Sequence, residues 1–319
     1  MHDLARCLNA TLEDLSDDTL LNQVYEQITE GEVQEGMDDL LTGLHTRWQN
    51  SSDQEWAEFV SMCLHHPIKD LLHQDPFTHR AFAKPRGYAG DAALIDFIYG
   101  REEHWPLSEG TTELGRQIFD FTTGAPAPEG VRARREYVAN LLDRLVEGRD
   151  RPHALSIAAG HMREAILSSA VRRRKLGRLV ALDSDTESLE EVDRCYSRYG
   201  IEVEPVTIRQ LLSQKTRLGD FDLVYSTGLF DYLQQATAQR LTSVMFDLLR
   251  PKGRLLVANF LPGIRDIGYM ESFMDWKLIY RTRHEMLEVS ANIPQAEIRD
   301  IRIFTEENQN IIFLQITKR

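Results

Sequence analysis

Cysteine is scarce in this sequence, and its scarcity excludes two kinds of protein. Three cysteines, Cys7, Cys63 and Cys195, are spread over 319 residues. Their odd number and wide spacing exclude a small disulfide-stapled fold and argue against a clustered zinc site. We therefore expect no bound metal and a reducing, cytoplasmic location.

The sequence also lacks an excess of positive charge and any long apolar run. Lys and Arg total 37 against 50 Asp and Glu, which leaves a formal net charge of -13, and the main basic run is RRRK at 172–175. Such a surface repels a phosphate backbone, so nucleic acid is not an expected partner. No apolar run reaches the roughly 18 residues that span a bilayer, and the start MHDLARCLNATLEDL lacks the basic and apolar regions of a signal peptide. We therefore expect no membrane association.

The first part of the chain has the periodicity of helices. Apolar residues recur at helical spacing up to about Leu72, as in LLNQVYEQI and WAEFVSMCLHH. LGRQIFDFTTGAP and PEGVRARREYVANLLDRLVEG indicate two more helices, separated where Gly and Pro interrupt the pattern. We predict a helical N-terminal domain over 1–125 that serves as a lid or substrate domain.

The rest of the chain has the texture of a parallel α/β sheet, because short Val, Ile and Leu runs alternate with amphipathic stretches. Strands are predicted at 153–159, 177–183, 201–207, 221–226 and 253–260, with helices at 161–175, 185–199, 207–213 and 235–250. The tail, 296–319, alternates like two strands joined by a polar turn and predicts an antiparallel hairpin. Five parallel strands plus a terminal hairpin are the arrangement of class I S-adenosylmethionine-dependent methyltransferases. We therefore predict a Rossmann-like, seven-stranded domain over 126–319.

The stretch SIAAGHMREA indicates a ligand-binding turn after the first strand. At Ala158, Ala159 and Gly160 the small side chains let the backbone pass close beneath a ligand, although a plain tight turn would look the same. Asp183 ends the second strand, where an acid either caps the next helix or accepts hydrogen bonds from ribose hydroxyls. The turn is not G-x-G-x-x-G, so we predict a methionine-derived nucleoside, S-adenosylmethionine, in preference to a dinucleotide.

Further candidate residues lie where the later strands end, which is the mouth of an open α/β sheet. Thr207 and Ile208 follow the third strand, where such folds hold adenine, and Phe230 either lines the site or packs in the core. The segment MDWKLIYRTRHEM is predicted to be helical. The predicted cofactor contacts are Arg135, Ala158, Gly160, Asp183, Ser184, Thr207, Ile208 and Ser226. The predicted catalytic contacts are Arg86, Tyr88, Tyr225, Ser226, Tyr232 and Asn259.

Four stretches, in this order and spacing, resemble one family. FTHRAFAKPRGYAGD, SIAAGHMREA, FDLVYSTGLFDYL and MESFMDWKLIYRTR look like the bacterial methyltransferase-like proteins related to the 3-hydroxypalmitic acid methyl ester synthase, over roughly 70–319. The resemblance implies S-adenosylmethionine bound at Gly160 and Asp183. It also implies that Lys84, Arg86, Tyr88 and Asp91 lie on the lid side of the site. Family members usually keep more glycine in the first sheet loop, where this chain has Ala158 and Met162.

Two reactions fit these residues. In methyl transfer to a carboxylate the acceptor is already ionised at neutral pH, so the enzyme must strip its water and hold it with a cation, for which Lys84, Arg86 or Arg135 could serve. Alternatively, the cofactor's own amine could attack the carbon beside sulfur, as in azetidine-2-carboxylate synthases, which would release methylthioadenosine and need no second substrate. A third possibility is a nucleoside-binding interaction module without catalysis.

The stretch KPRGYAGD generates a direct prediction about the lid. Because Arg86 and Tyr88 are predicted to close over the cofactor, we expect Arg86→Ala or Tyr88→Ala to leave the fold intact and to lower turnover about tenfold or more, about 1.4 kcal/mol of barrier. Steady-state kinetics, with circular dichroism as the control for folding, measure this. Unchanged kinetics in both variants would make the stretch a structural connector.

Overall fold

The computed structural model describes residues 17–213 and 218–319. The chain divides into two compact units, formed by 1–128 with 263–277 and by 129–262 with 278–319. The break after residue 128 lies close to the predicted boundary between 125 and 126. The sequence places the segment 263–277 in the second domain, whereas the structure groups it with the first unit.

The described elements follow in chain order. The helices are α1 (Asp17–Glu30), α2 (Val33–Asn50), α3 (Asp53–His65), α4 (Ile68–Leu72), α5 (Pro76–Ala83), α6 (Ala92–Glu103), α7 (Glu113–Thr123), α8 (Pro126–Leu145), α9 (Glu164–Leu167), α10 (Ser169–Arg172), α11 (Thr186–Tyr196), α12 (Ile208–Leu212), α13 (Gln235–Asp247), α14 (Ile267–Phe273) and α15 (Arg283–Glu288). The strands are β1 (His153–Ile157), β2 (Arg178–Asp183), β3 (Ile201–Pro205), β4 (Phe221–Ser226), β5 (Leu249–Phe260), β6 (Ile298–Thr305) and β7 (Ile311–Lys318). None of the described helices has both the length and the apolar character needed to cross a membrane.

Side-chain caps determine where helices of the first unit begin. Ser52 and Glu55 form a capping box at the start of α3, with the Ser52 N–H donating to Glu55 Oε2 at 2.8 Å. The buried carboxylate of Asp75 accepts hydrogen bonds from the N–H groups of Phe77 and Thr78 at 2.8 and 3.1 Å, and so caps α5. These bonds satisfy backbone donors that have no partner within the helix.

Segment 263–277 is built into the helical unit by polar and close backbone contacts. Trp56 Nε1 donates to Glu271 Oε2 at 2.9 Å. A Cβ added to Gly268 would lie 2.7 Å from the carbonyl carbon of Leu44, so only glycine fits there without a shift of the backbone. This close approach explains why the segment belongs with the first unit although it follows β5 in the chain.

The second unit contains one seven-stranded sheet with the order β3-β2-β1-β4-β5-β7-β6. β1 to β5 are parallel to one another, and β7 is antiparallel to both β5 and β6. The parallel strands β1, β2 and β4 are buried along nearly their whole length, as expected of strands covered on both faces. This is the sheet of the class I methyltransferase fold, and the predicted fold class is confirmed.

Different apolar groups cover the two faces of the sheet. On one face Val224, Leu255 and Val257 pack with Leu241 and Met245 of α13 in a continuous buried core. On the other face helix α8 crosses the hairpin. Its Tyr137 ring contacts Phe304 and Phe313, with ring centroids 5.2 and 5.0 Å apart.

Two of the predicted helices are wrong in extent. The predicted helix over 161–175 is two four-residue helices, because Ser168 is extended and caps α10 by accepting a hydrogen bond from the Val171 N–H. The segment MDWKLIYRTRHEM is helical only from Arg283, since 274–282 runs in an irregular path. Its Arg281 is buried and hydrogen-bonded to backbone carbonyls elsewhere in the unit, which fixes this path.

Candidate functional site

The candidate site lies at the carboxyl edge of the sheet in the second unit. β1, β2, β4 and β5 run in parallel and end at Ile157, Asp183, Ser226 and Phe260. Open α/β sheets bind ligands at this edge, because the loops that follow the strands diverge there. Most of the predicted site residues follow these strand ends.

The turn after β1 is held in an unusual backbone conformation. Ala158, Gly160 and Met162 all have left-handed backbones, with φ of 53°, 52° and 51°. Such a conformation costs a residue other than glycine roughly 1–2 kcal/mol, so surrounding contacts must hold this turn. One of them is the hydrogen bond from the Ala159 N–H to the Leu182 carbonyl, at 3.1 Å.

Asp183 holds the same turn through its carboxylate. Its Oδ2 accepts a hydrogen bond from the Gly160 N–H at 2.9 Å, and its Oδ1 accepts one from the Asp185 N–H, also at 2.9 Å. An ionised carboxylate has about four lone-pair sites, so about two remain for a ligand. Asp183 is half-buried and the neighbouring Ser184 is exposed, so the end of β2 is partly open to solvent.

A half-buried acid and a buried phenol meet beside this turn. The Tyr225 hydroxyl donates to Glu164 Oε1 at 2.8 Å and is also hydrogen-bonded to Ser156. Burial raises the pKa of Glu164, and the Tyr225 hydrogen bond and the charges of Arg134 and Arg135 offset this only in part. Glu164 therefore holds its proton to a higher pH than an ordinary glutamate.

Arg134 and Arg135 bring positive charge to the carboxyl edge from helix α8. Both side chains are buried. The Arg134 guanidinium lies beside the loop that follows β4, since a Cβ added to Gly228 would be 3.8 Å from its Nη2. Arg135, one of three cations that the sequence offers for an anionic group, thus lies next to a second buried arginine, and its role stays a prediction.

Ser226 provides a buried hydroxyl at the end of β4. Its side chain is fully buried, and its Oγ has no hydrogen-bond partner among the residues that the structure describes. A buried hydroxyl without a partner is destabilising, by roughly 1–3 kcal/mol. A ligand with a suitably placed polar atom would supply the missing hydrogen bond.

Asp231 lies in the 3-10 turn at 230–232, which follows β4. Its Oδ1 accepts a hydrogen bond from the Phe260 N–H at 2.7 Å, which joins this turn to the end of β5. Burial raises the pKa of Asp231 to about 6, although the Phe260 hydrogen bond and the charges of Arg134 and Arg281 favour the ionised form. Asp231 therefore exchanges a proton close to neutral pH.

The predicted catalytic Asn259 is tied into a structural network. Its Nδ2 donates to the carbonyls of Phe260 and Ile279 at 3.0 and 2.8 Å, and its Oδ1 accepts from Arg281. The same Arg281 donates to the carbonyls of Phe230 and Leu233, so it joins the loop after β4 to β5. Both amide hydrogens of Asn259 are already used.

Of three other predicted residues, one caps a helix, one is half-buried and one is exposed. Thr207 caps α12 in a capping box with Gln210, whose Oε1 accepts from the Thr207 hydroxyl at 2.8 Å. Ile208 beside it is half-buried, and Tyr232 is 38% exposed, so both could still contact a ligand.

The predicted lid residues belong to the first unit. Lys84 ends α5 with a left-handed backbone and forms an ion pair with Asp275. Asp91 is buried, caps α6 and accepts two hydrogen bonds from Arg80 at 3.0 and 2.8 Å. Arg86 is half-buried and Tyr88 is 40% exposed. Their predicted contact with a cofactor stays a prediction.

Three residues of the carboxyl edge escaped the sequence analysis, namely Glu164, Arg134 and Asp231. Asp231 sits within GLFDYL, between the two aromatic residues that were chosen there, and Glu164 follows Gly160 by one helical turn. The positions of Asp231 and Glu164 in the sequence could therefore have identified both as candidates. Nothing in the sequence separates Arg134 from the other arginines of its helix. Within the described ranges, no group of three or more His, Cys, Asp or Glu residues could hold a metal ion.

Comparison with known proteins supports the fold. No protein-family model and no curated protein matches the chain. A possible exported protein of Bordetella parapertussis is 20% identical with a TM-score of 0.55, over 70% of this chain and 79% of that one. The N-methyltransferase NodS of Bradyrhizobium japonicum in complex with S-adenosyl-L-homocysteine is 12% identical with a TM-score of 0.43, over 70% and 99%. The magnesium protoporphyrin IX methyltransferase ChlM of Synechocystis is 9% identical with a TM-score of 0.45, over 71% and 98%. At 20% identity the Bordetella protein supports the fold alone, and the two methyltransferases carry no further argument.

The Asp231 carboxyl gives a pH-dependent prediction. We expect it to titrate at about pH 6, and we expect Arg134→Gln to raise that pKa by roughly one unit, because loss of a nearby cation disfavours the carboxylate. Carbon-13 NMR of carboxyl-labelled aspartate measures this, with Asp231→Asn identifying the resonance. Arg198→Gln, which removes an exposed charge, should leave the titration unchanged. A midpoint near 4 in the wild type would contradict the expectation.

Proposed function

We propose that this chain is an S-adenosylmethionine-dependent transferase, a methyltransferase that acts on a carboxylate or a similar nucleophile of a small molecule. The observation that carries the proposal is the half-buried Asp183 carboxylate at the end of β2, fixed by the Gly160 and Asp185 N–H groups. An acid at this point of such a sheet accepts hydrogen bonds from a ribose. The resemblance to the 3-hydroxypalmitic acid methyl ester synthase family favours the same activity.

The residues of the carboxyl edge fit this cofactor. Asp183 would accept from the ribose hydroxyls, and the turn at Ala158 and Gly160 would pass beneath the nucleoside with little side-chain bulk. Ser226 has a buried hydroxyl with no partner among the described residues, and Ile208 offers an apolar side chain for the base. When bound, S-adenosylmethionine would supply a methyl group activated by its sulfonium charge.

The buried arginines suit an anionic group at this edge. A carboxylate is ionised at neutral pH and needs no general base, so the protein must remove its water and orient it. Arg134 and Arg135 are buried, and a guanidinium can hold a carboxylate through two parallel hydrogen bonds. The two arginines would bind either the carboxylate of the acceptor or that of the cofactor. In both cases the carboxyl edge favours binding of an anionic group.

A hydroxyl or amine acceptor would need a general base, and two carboxyl groups at the same edge could serve as one. Burial raises the pKa of Glu164, and that of Asp231 is about 6. A base is most effective when its pKa lies near the working pH, so either acid could take a proton from a hydroxyl or an amine. The proposal therefore extends to nucleophiles other than a carboxylate.

Binding and product analysis test the proposal together. We expect calorimetry to detect binding of S-adenosylhomocysteine, and we expect Asp183→Asn to weaken it tenfold or more, because the amide leaves one of the two backbone N–H groups without an acceptor and accepts ribose hydrogen bonds less well. Asp193→Asn, an exposed Asp on α11, is the matched control and should bind like the wild type. We also expect S-adenosylhomocysteine to form from S-adenosylmethionine only when a methyl acceptor is supplied.

Other outcomes of these assays point to the alternatives. Methylthioadenosine released from S-adenosylmethionine alone would reject methyl transfer and favour intramolecular cyclisation to azetidine-2-carboxylate. Binding without any product across carboxylate, hydroxyl and amine acceptors would favour a non-catalytic nucleoside-binding module. The absence of binding would reject every version of the proposal.

A further inference from the structure

A cluster of arginines lies at the other end of the sheet, away from the carboxyl edge. It consists of Arg144 at the end of α8, Arg254 on β5 and Arg302 on β6, and is called the arginine cluster below. Arg254 precedes Phe260, the last residue of β5, by six positions. At about 3.3 Å per residue, Arg254 and the carboxyl edge are about 20 Å apart along that strand.

Strand register places Arg254 and Arg302 on the same face of the sheet. Arg302 is paired with Gln315 of β7, Gln315 is paired with Leu256 of β5, and Arg254 is two residues from Leu256. Residues that are paired, or two apart on one strand, point to the same face. With strands about 4.8 Å apart, the two arginine Cα atoms are separated by about 12 Å. Two extended arginine side chains can span that distance.

The third arginine, Arg144 of helix α8, contacts the same face of the sheet through Tyr137. The Tyr137 ring packs on Phe304 and Phe313 of the same sheet face, and its hydroxyl donates to Gln315 Oε1 at 3.4 Å. The Arg144 guanidinium carbon lies 5.7 Å from the centre of the Tyr137 ring, and Arg144 also hydrogen-bonds to its hydroxyl. The three arginines therefore surround one tyrosine.

The charge of Arg254 has no counter-charge among the residues that the structure describes. Arg254 is half-buried, and its side chain forms no hydrogen bond or ion pair with any residue of 17–213 or 218–319. Burial, followed by the charges of Arg149, Arg144 and Arg302, lowers its pKa. Like charges have thus been gathered around a guanidinium that is already partly removed from water.

The acids nearest the cluster are already engaged. Asp222 accepts hydrogen bonds from Arg149, from Arg250 at 3.0 Å and from the His153 N–H at 2.8 Å. Asp300 accepts from Arg302 Nε at 2.9 Å in an exposed pair, which contributes little stability. The concentration of positive charge is unusual in a chain with a formal net charge of -13.

We propose that the arginine cluster binds a phosphate or pyrophosphate group of a small ligand, at a site separate from the carboxyl edge. An oxyanion would supply the counter-charge that Arg254 lacks, and guanidinium groups match phosphate oxygens in charge and in geometry. The formal net charge of -13 repels anions at long range, so the positive charge of the cluster itself must supply the attraction. This inference does not depend on the proposed methyl transfer.

Calorimetric titration with inorganic pyrophosphate at low ionic strength tests the inference, because surface charge interactions are strongest there. We expect saturable binding at one site, weakened tenfold or more by Arg254→Gln. Arg302→Gln changes an exposed residue, so it should fold normally and still weaken binding several-fold. Arg240→Gln, an exposed arginine on α13, removes the same charge elsewhere and should bind like the wild type.

Three outcomes would overturn the inference. The first is the absence of saturable pyrophosphate binding to the wild-type protein. The second is equal binding by the wild type, Arg254→Gln and Arg302→Gln, which would reflect non-specific attraction. The third is an equal loss in Arg240→Gln, which would reflect net charge alone. If Arg254→Gln fails to fold, Arg302→Gln decides between these results.

Discussion

The carboxylate of Asp183 is the group on which the candidate site depends. Asp183 is the last residue of β2. Its carboxylate accepts hydrogen bonds from the Gly160 N–H in the turn after β1 and from the Asp185 N–H just before α11. One side chain thus joins two neighbouring strands and the helix that follows. Because that turn includes left-handed Ala158 and Met162, which are costly conformations, the Asp183 bond also offsets local strain.

A second network positions the other half of the edge. Arg281 is fully buried and donates to Asn259 and to two carbonyls of the loop after β4, while Asp231 in that loop accepts the Phe260 N–H. Burying a guanidinium is expensive unless its donors are satisfied, and here they bind Asn259 of β5, two carbonyls of the loop after β4 and the Gln235 side chain of α13. The loop that carries Asp231, directly after Ser226 at the end of β4, is therefore fixed in place. A site with fixed groups is what efficient orientation of a substrate requires.

The fold was predictable because the alternation of strands and helices depends on local pattern. The position of Asp183 and Gly160 at the carboxyl edge was predictable because parallel strands end at one edge, whereas their contact with a cofactor stays a prediction. Asn259 illustrates where such reasoning stops. Its place at the end of β5 predicts a catalytic amide, but its hydrogen bonds depend on Arg281, whose irregular segment was predicted to be helical. Arg134 likewise becomes distinct from its neighbours only through packing against Gly228. The surroundings of both Asn259 and Arg134 depend on tertiary contacts, which the local sequence pattern does not contain.

Hydrogen exchange measured by mass spectrometry, with and without S-adenosylhomocysteine, tests the central claim most directly. If the carboxyl edge binds the nucleoside through Asp183, the ligand should slow exchange in the peptides that contain 158–163 and 183–185, since the backbone N–H groups there become fixed and covered. Exchange at the amino ends of β4 and β5 should not change. Protection absent from the turn after β1, or confined to other strands, would contradict the account.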